Sequence, residues 1–425
     1  MGMDGWMGSC MDDDGDGCDA AASLLSLERP GRWAMSYSIG RPHHNSCIGC
    51  FFCCHYLQIA LNNGSAASIP AQIATDSGNL AHCSPTNRLW KLEWKLKWQL
   101  RKGSARGTDQ GTTSTRFFLY DRNAKPVASH QVEFAQIYPQ AGWVEHDPLV
   151  ILDTVKVCIQ RTCEKARAEG ISIDGNVKAI GITNQRETTV VWRKSTGLPL
   201  YNAIVWMDTR TSSICRRLEK ELPEGRLQFV KSAGLPISAY FSAMKLIWLL
   251  ESVPVVKSAI EEGDALFGTG GVHVTDCANA ARTLLMDLST LQWHEPTLKR
   301  LGIPSTILPR IVSNAEYIGD VAEGWPLAGV PIAGCIGDQN AAVLGQKCKK
   351  GEAKRTYGTG CFILMNTGET LVSSKHGLLT TISFKLGPHA PTHYALEGSI
   401  AIAGAAVQWL RDTLGIIESA REIAS

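Results

Sequence analysis

From residue 107 onward the sequence predicts an α/β fold, because strand-like and helix-like segments alternate along it. Two further observations agree with this prediction. The apolar strands end in polar residues, and strand ends are where open α/β sheets bind their ligands. A hydrophobic content of 44% over 425 residues is enough for more than one domain core.

The predicted strands are short apolar runs bounded by turn residues. "RFFLYD" (116–121) and "VASHQVEF" (127–134) predict two strands joined by a turn at 123–126. "VKAIGITN" and "ETTVVWRK" are β-rich and lie only a few residues apart. "GVPIAGCIGD" predicts an apolar strand that ends at Asp338, and "AAVLGQ" after it resembles the start of a helix.

One long helix is predicted over "EHDPLVILDTVKVCIQRTCEKARAEG" (145–170). Asp147 is the expected N-cap, Pro148 occupies the first helical position, and Gly170 is a natural stop. The segment therefore carries both a start and an end signal.

Residues 1–106 have a different composition, rich in Gly, Ser, Asn and Cys without a sustained helical period, and we expect a disordered or mispredicted extension there. Its "CIGCFFCC" stretch, with His43, His44 and His55 nearby, leaves a zinc site as an alternative, although the second ligand pair is missing. "WKLEWKLKWQL" (90–100) alternates strictly between apolar and polar residues. That pattern suits an amphipathic edge strand or an aggregation-prone tail.

Charge and cysteine usage exclude several function classes. The net charge of +2 leaves no surplus for nucleic acid or an acidic membrane. The acidic N-terminus argues against a secretory signal, and the longest apolar run is too short to cross a bilayer. Seven single cysteines scattered beyond residue 107 are typical of reduced thiols. We therefore expect a cytoplasmic protein with a small-molecule partner and no nucleic-acid or membrane partner.

The stretch "GTDQGTTSTRFFLYD" (107–121) is the first candidate for chemistry. Between two strands it predicts a tight hairpin whose hydroxyls and backbone N–H groups could hold phosphate oxygens, with Asp109 placed to hold Mg²⁺ and Arg116 adding positive charge. An ordinary glycine-containing hairpin is the alternative. The P-loop and dinucleotide-binding glycine patterns are absent from the sequence.

Three further stretches follow along the chain. "GITNQRETT" brings Arg186 and Glu187 to a strand end, where a donor and an acceptor suit a neutral polyol; a solvated surface pair is the alternative. Asp338 in "GDQNAAVLGQ" could accept the proton of an attacking hydroxyl, or could be a helix N-cap. "RTYGTGCF" places Thr359 between two glycines in another phosphate-binding type of turn.

The order of these stretches resembles the glycerol kinases, within the sugar- and polyol-kinase family that has an actin-like, ribonuclease H-like fold of two lobes. The resemblance extends from residue 107 to about 425, and "ITNQRETT" with "YPQAGWVEHDP" points to glycerol rather than xylulose or gluconate. "STGLPL" resembles plant members. The other matching stretches are "NAIVWMDTR", "YFSAMKLIW", "HVTDCANAARTLL", "TYGTGCFILMNTGE" and "ALEGSIAIAGAAVQWLRD".

The resemblance implies an ATP-dependent, Mg²⁺-requiring phosphorylation of glycerol to sn-glycerol 3-phosphate in glycerol catabolism, and it leaves a homo-oligomer open. It implies Asp338 as the catalytic base and Asp109 as the residue that places Mg²⁺. The implied glycerol-binding residues are Arg186, Glu187, Tyr240 and Gln339 for the hydroxyls, Trp206 and Phe362 for the carbon face, and Asp338. The implied ATP-binding residues are Thr112, Thr113, Ser114, Arg116, Thr359, Gly404 and Gln408.

The resemblance divides the chain into a polyol-binding lobe at 107–347 and the start of a nucleotide-side lobe at 348–425, which we expect to be truncated. Two further departures are expected. "RKGSARGT" lacks the apolar run that opens the family's first strand, so that strand is predicted to be lost, and Gly270 and Gly271 bridge a shortened segment. An inactive relative that binds glycerol or associates with full-length subunits is therefore an alternative, and a different sugar kinase is a third.

Overall fold

The computed structural model describes residues 104–268, 273–358, 360–412, 414–419 and 422–423. The zinc alternative, the alternating segment at 90–100 and the junction at Gly270 and Gly271 lie outside these residues.

The described residues contain eighteen strands. They are β1 Ser104–Gln110, β2 Ser114–Tyr120, β3 Pro126–Glu133, β4 Glu145–His146, β5 Val177–Asn184, β6 Val191–Arg193, β7 Ala203–Ile204, β8 Ala265–Phe267, β9 Val274–Asp276, β10 Met286–Asp287, β11 Gln292–Trp293, β12 Arg310–Val312, β13 Gly319–Asp320, β14 Pro331–Gly337, β15 Ala353–Tyr357, β16 Cys361–Gly368, β17 Leu379–Lys385 and β18 Thr392–Ile400.

Nine α-helices are described between and after these strands. Two short 3₁₀ turns, Gly225–Leu227 and Ser305–Ile307, complete the assignment. The helices are α1 Pro148–Ala168, α2 Ser212–Glu221, α3 Val230–Ala233, α4 Ser242–Ser252, α5 Pro254–Glu261, α6 Cys277–Ala280, α7 Glu295–Leu301, α8 Asp338–Gly345 and α9 Gly404–Asp412.

A six-stranded sheet in the order β13-β14-β5-β1-β2-β3 positions the site. Strands β1, β5 and β14 run parallel, whereas β2, β3 and β13 are antiparallel to their neighbours. The three parallel strands end in register, with Gln110 opposite Asn184 and Asn184 opposite Gly337. The residues that follow these strands therefore leave the sheet at one edge, as in other α/β folds that bind ligands there.

The predicted loss of the first strand is wrong, because Ser104–Gln110 forms β1 at the centre of this sheet. Its backbone pairs with β2 on one side and β5 on the other. Gly107 lies opposite Gly181, which lies opposite Gly334, so at this level three adjacent strands carry no side chain. Two-sided backbone pairing satisfies the strand's polar groups, and neighbouring strands supply the apolar side chains that its own sequence lacks.

Helix α1 covers one face of the sheet and matches its predicted signals. Asp147 Oδ1 accepts a hydrogen bond from the Leu149 N–H over 2.8 Å, and Gly170 adopts φ 74° just after the helix. The helix packs on β2 and β3. Their shared core contains Phe117, Leu119, Cys158, Ile159, Cys163, Ala166, Ile173, Val177 and Ile180.

One predicted strand is much shorter than expected. Of "ETTVVWRK", only Val191–Arg193 forms a strand, β6. The preceding Glu187 has φ 58°, and the Thr188 N–H donates to the Arg186 carbonyl over 2.7 Å. This tight turn breaks the extended conformation that the β-branched residues would favour.

A second sheet, in the order β15-β16-β18-β17, is antiparallel throughout and shares its cores with the first part of the chain. Phe362 and Leu364 of β16 pack with Trp206 and Val343, and Ile382 of β17 packs with residues of α6. The lobe boundary at 347/348 remains a prediction. None of the helices in the described ranges combines the length and apolar character needed to cross a membrane.

The contact between Gly234 and β17 yields a test of this shared packing. Gly234 ends α3 at φ 72°, its carbonyl accepts the Thr380 N–H over 3.0 Å, and an added Cβ would lie 2.2 Å from the Thr380 carbonyl oxygen. We expect Gly234→Ala to lower the free energy of unfolding by clearly more than the about 1–2 kcal/mol of left-handed strain alone. Urea denaturation measures the loss.

Gly175→Ala is the matched control, because Gly175 has φ 68° and no atom within 4 Å of the added Cβ. Only the backbone strain acts there. Equal losses in the two variants would show that the contact with Thr380 does not matter.

Candidate active site

The hairpin between β1 and β2 forms as predicted. The Gly111 N–H donates to the Ser114 carbonyl over 3.0 Å and closes the turn. Thr112 is fixed from two sides: Gln136 Nε2 donates to its carbonyl and Trp206 Nε1 donates to its hydroxyl, each over 2.9 Å. The side chain of Thr113 is exposed and Ser114 is buried. The geometry of the hairpin is thus confirmed, whereas its ligand remains a prediction.

Asp109 is a buried carboxylate at the end of β1, with 4% of its surface exposed. Arg116 Nη1 lies 3.2 Å from Asp109 Oδ2. Burial raises the pKa of Asp109 to about 6; Arg116 opposes this shift and the nearby charge of Asp338 adds to it. Asp109 and Asp338 are therefore two carboxylates that repel each other, with Arg116 beside the first. Such a pair is suited to a divalent cation that keeps some of its water. No group of three or more potential metal ligands occurs within the described residues.

Arg186 and Glu187 are buried, so the alternative of a solvated surface pair is wrong. They are 2% and 7% exposed, and they follow directly from the end of β5. The left-handed turn at Glu187 is held by the hydroxyls of Thr189 and Ser242, which donate to the Glu187 carbonyl. Arg186 Nε lies 4.0 Å from Glu187 Oε2. The bend therefore brings two adjacent side chains together, which an extended strand would point apart.

Two residues that sequence reasoning missed, Arg282 and Glu397, complete a four-charge cluster with this pair. Arg186 donates to Glu397 with both terminal nitrogens, each over 2.8 Å. Arg282 Nε donates to Glu187 over 2.5 Å, and its Nη2 donates to Glu397 over 3.2 Å. Arg282 and Glu397 are fully buried. We call these four residues the buried charge cluster.

The buried charge cluster is electrically balanced. Burial alone would raise the pKa of Glu397, but Arg186 and Arg282 lower it to about 2. Burial raises the pKa of Glu187, and the two arginines oppose that shift.

A signal in the sequence could have found Arg282 and Glu397. Each is a lone charge among apolar or small residues, Arg282 in "ANAARTLL" and Glu397 in "YALEGSI".

Asp338 is the first residue of α8, and Gly337 occupies the N-cap position, so the N-cap alternative for Asp338 is wrong. The Gln339 N–H donates to Asp338 Oδ1 over 2.7 Å, and Gln339 Nε2 donates to Oδ2 over 3.1 Å. Arg186 Nε lies 3.8 Å from Asp338 Oδ1. A Cβ at Gly337 would lie 2.7 Å from the Arg186 side chain, so glycine lets the arginine pass beneath the carboxylate.

Asp338 is also the accessible member of the group. Its side chain is 35% exposed, whereas that of Arg186 is 1% exposed. A carboxylate that is oriented from below and open above can reach a ligand in the cleft.

An aromatic wall stands beside these polar groups. The Trp206 ring lies 5.9 Å from the ring of Tyr240 and 5.8 Å from that of Phe362, both edge-on. Burial raises the pKa of Tyr240, and the charge of Glu187 adds to this, so its phenol stays protonated. The predicted polyol residues therefore meet in one place: charged groups and a phenol beside an apolar wall.

The remaining predicted nucleotide residues lie between β15 and β16 and on α9. Thr359 lies outside the described residues, as does the side chain of Gln408 in α9. The Gly404 N–H donates to the Gly358 carbonyl over 3.0 Å, which joins the start of α9 to the glycine-rich turn. A Cβ at Gly360 would lie 2.9 Å from the Ile400 carbonyl oxygen, so this turn depends on close backbone approach.

Comparisons with known proteins agree with this geometry. Residues 105–345 match the N-terminal domain of the FGGY family of carbohydrate kinases, and 353–425 match its C-terminal domain. The chain is 68% identical over 326 residues to a glycerol kinase of Arabidopsis thaliana and 52% identical over 327 residues to one of Brucella anthropi; each match covers 73% of this chain. It is similar to the crystal structure of Plasmodium falciparum glycerol kinase with ADP, with a TM-score of 0.69, 39% identity and 75% of this chain covered.

These matches cover only part of each relative. The chain spans 62% of the Arabidopsis protein, 64% of the Brucella protein and 64% of the Plasmodium structure. The matched part contains the hairpin, the buried charge cluster and Asp338.

The buried charge cluster predicts a large effect of one neutral substitution. Glu397→Gln leaves Arg186 and Arg282 buried without their shared anion, so we expect the free energy of unfolding to fall by about 3–5 kcal/mol. Chemical denaturation at neutral pH measures this loss.

Glu164→Gln serves as the control, since Glu164 pairs with Arg161 on an exposed face of α1. An exposed pair contributes at most about 1 kcal/mol. A loss at Glu397 no larger than that at Glu164 would contradict the interdependence of the four charges.

Proposed function

The chain belongs to the FGGY family of carbohydrate kinases, and on that premise we propose that it transfers the terminal phosphoryl group of ATP to glycerol, giving sn-glycerol 3-phosphate. The observation that carries this proposal is the partly exposed Asp338 carboxylate, whose Oδ1 lies 3.8 Å from Nε of the buried Arg186. The similarity to glycerol kinases of a plant, a bacterium and Plasmodium supports the same substrate.

The balance of the buried charge cluster favours a neutral substrate. Glu397 already satisfies both terminal nitrogens of Arg186, so this arginine offers no unpaired charge to a sugar acid. Its Nε lies 3.8 Å from Asp338 Oδ1 but has no hydrogen-bond partner within the described residues, so we assign it to a glycerol hydroxyl. Glu187, Tyr240 and Gln339 supply the further polar contacts, and Trp206 and Phe362 pack against the carbon chain.

Asp338 acts as the general base. It accepts the proton of a terminal glycerol hydroxyl while that oxygen forms its bond to the γ-phosphorus and ADP departs. The donors from Gln339 hold the carboxylate in one orientation. Phosphoryl transfer depends mainly on such positioning and on neutralising charge, so one oriented carboxylate is a sufficient protein base.

The hairpin holds the nucleotide phosphates through Thr112, Thr113, Ser114 and Arg116. Asp109 fits a Mg²⁺ site, because a cation there would offset the cost that burial and the charge of Asp338 impose on its ionised form. Bound Mg²⁺ would neutralise the phosphate oxygens. Thr359, Gly404 and Gln408 contact the nucleotide from the other side of the cleft.

The proposed function divides the chain into a polyol-binding lobe at 107–347 and a nucleotide-side lobe that begins at 348. We place the protein in the cytosol, where its seven described free cysteines stay reduced. Homo-oligomers are compatible with the proposal.

A second candidate is a glycerol-binding protein without turnover. All the proposed glycerol contacts lie within residues 186–362, whereas the nucleotide contacts depend also on residues beyond them. Binding could therefore persist where transfer fails.

The decisive test measures formation of glycerol 3-phosphate by the 425-residue chain with Mg-ATP. We expect product from the unsubstituted chain and a loss of about 10²–10⁴ in kcat for Asp338→Asn, which removes the base but keeps the size of the side chain. Glycerol binding, measured by calorimetry, should persist in both. Binding without any product would support the second candidate, and absence of both would contradict the proposed substrate.

The raised pKa of Asp109 predicts the pH dependence of Mg-ADP binding. A cation needs the carboxylate, so above a pH of about 6 affinity should be constant, and below it affinity should fall towards tenfold per pH unit as a proton competes. Calorimetry from about two pH units below that midpoint to about two above it measures this dependence.

Asp109→Asn is the control for this dependence, because the nucleotide's own titration is common to both proteins. The difference between the two pH profiles should bend near pH 6. Parallel profiles would exclude Asp109 as the group that titrates.

A further inference from the structure

Lys354 is a buried cation to which the proposed mechanism gives no role. It lies on β15, and only 1% of its surface is exposed. Its Nζ donates to Gln339 Oε1 and, over 2.8 Å, to Thr356 Oγ1. The neighbouring Arg355 is exposed, as the alternation of a strand requires. Lys354 therefore points towards the cleft side of β15 and not to solvent.

Packing does not explain a lysine at this position. A buried ammonium that meets only neutral acceptors is costly, and an apolar side chain of similar length would avoid that cost. Burial lowers the pKa of Lys354 to about 8, whereas the charge of Asp338 acts most strongly against that shift. The other charged or titratable groups that it senses are Arg186, Glu397 and Cys348. The lysine is thus held near Asp338 without contacting it.

Gln339 connects the two residues. Its amide oxygen accepts from Lys354, and its amide nitrogen donates to Asp338 Oδ2 over 3.1 Å. If the Gln339 amide group were rotated by half a turn, its oxygen would face the Asp338 carboxylate. The two groups would repel each other, because both are acceptors. A cation that can only donate, placed at the oxygen end, allows one orientation and excludes the other.

We propose that Lys354 is a positioning residue that acts through Gln339: it fixes which end of the Gln339 amide faces Asp338 and so sets the orientation of the base. This inference rests on the proposed function for the role of Asp338. It assigns to β15 of the second sheet an influence, through Gln339, on a base that belongs to α8.

A double-mutant cycle with Lys354→Met and Gln339→Ala tests the proposal. We expect Lys354→Met to lower kcat by about tenfold or more, since small misplacements of catalytic groups are costly, with a smaller change in KM for glycerol. Because Lys354 acts through Gln339, the double variant should lose no more kcat than Gln339→Ala alone. Arg355→Met, which removes an exposed cation from the same strand, should match the unsubstituted chain.

Additive losses in the cycle, or a loss confined to KM, would overturn the proposal. Lys354→Gln serves as a second variant in case Lys354→Met does not fold, which far-UV circular dichroism would show. It keeps an N–H donor without the charge and should retain more kcat than Lys354→Met. Equal activity of the two variants would contradict a role in hydrogen bonding.

A measurement independent of turnover separates this proposal from the proposed function. The side-chain amide signals of Gln339, identified in NMR spectra by their absence from Gln339→Ala, should shift in Lys354→Met and stay in place in Arg355→Met. Unchanged signals in Lys354→Met would overturn the positioning role. A chain that forms no product yet shows the expected shifts would overturn only the proposed function.

Discussion

The site depends on the pairing of four buried charges, Arg186, Glu397, Arg282 and Glu187, which alternate in sign. Each charge is tolerated there only because its neighbours carry the opposite sign, so the four side chains have to be held together by the fold. They come from three separate parts of the chain: the end of β5, the loop after α6, and β18 in the second sheet. Assembling the cluster therefore requires the two sheets to be docked, and the floor of the proposed polyol site is fixed by that docking.

The register of the parallel strands explains why chemistry collects at one edge. Because β1, β5 and β14 end level with one another, the Asp109 hairpin, the Arg186–Glu187 turn and Asp338 leave the sheet side by side. Two backbone features then aim the side chains. The left-handed turn at Glu187 brings both members of the pair inward, and Gly337 leaves room for Arg186 under the carboxylate. Neither the backbone turn nor Gly337 contacts the substrate in the proposed mechanism. Both are needed to place the side chains that do.

Sequence patterns predicted what is local in this structure. The caps of α1, the hairpin after Asp109 and the strands β2, β3, β5 and β14 follow from turn residues and periodicity in short windows. They failed for β1, whose apolar neighbours lie far along the chain, and for "ETTVVWRK", whose β-branched residues are interrupted by the turn at Glu187. Arg282, Glu397 and Lys354 were missed because their significance lies in pairings with residues at distances of 15 to 211 positions. Long-range pairing of this kind leaves no spacing in the sequence.

Trp206 belongs to two halves of the cleft at once. Its ring packs with Tyr240 and Phe362 in the apolar wall, while its indole N–H donates to Thr112 in the hairpin. A movement of the hairpin is therefore transmitted to the wall by a single rigid ring. If binding in one half of the cleft moves the hairpin and so changes the affinity of the other half, the effect is reciprocal. Binding in the second half then changes the affinity of the first by the same factor. The same indole is a natural fluorophore, so its emission is a way to measure whether the two halves of the cleft are coupled.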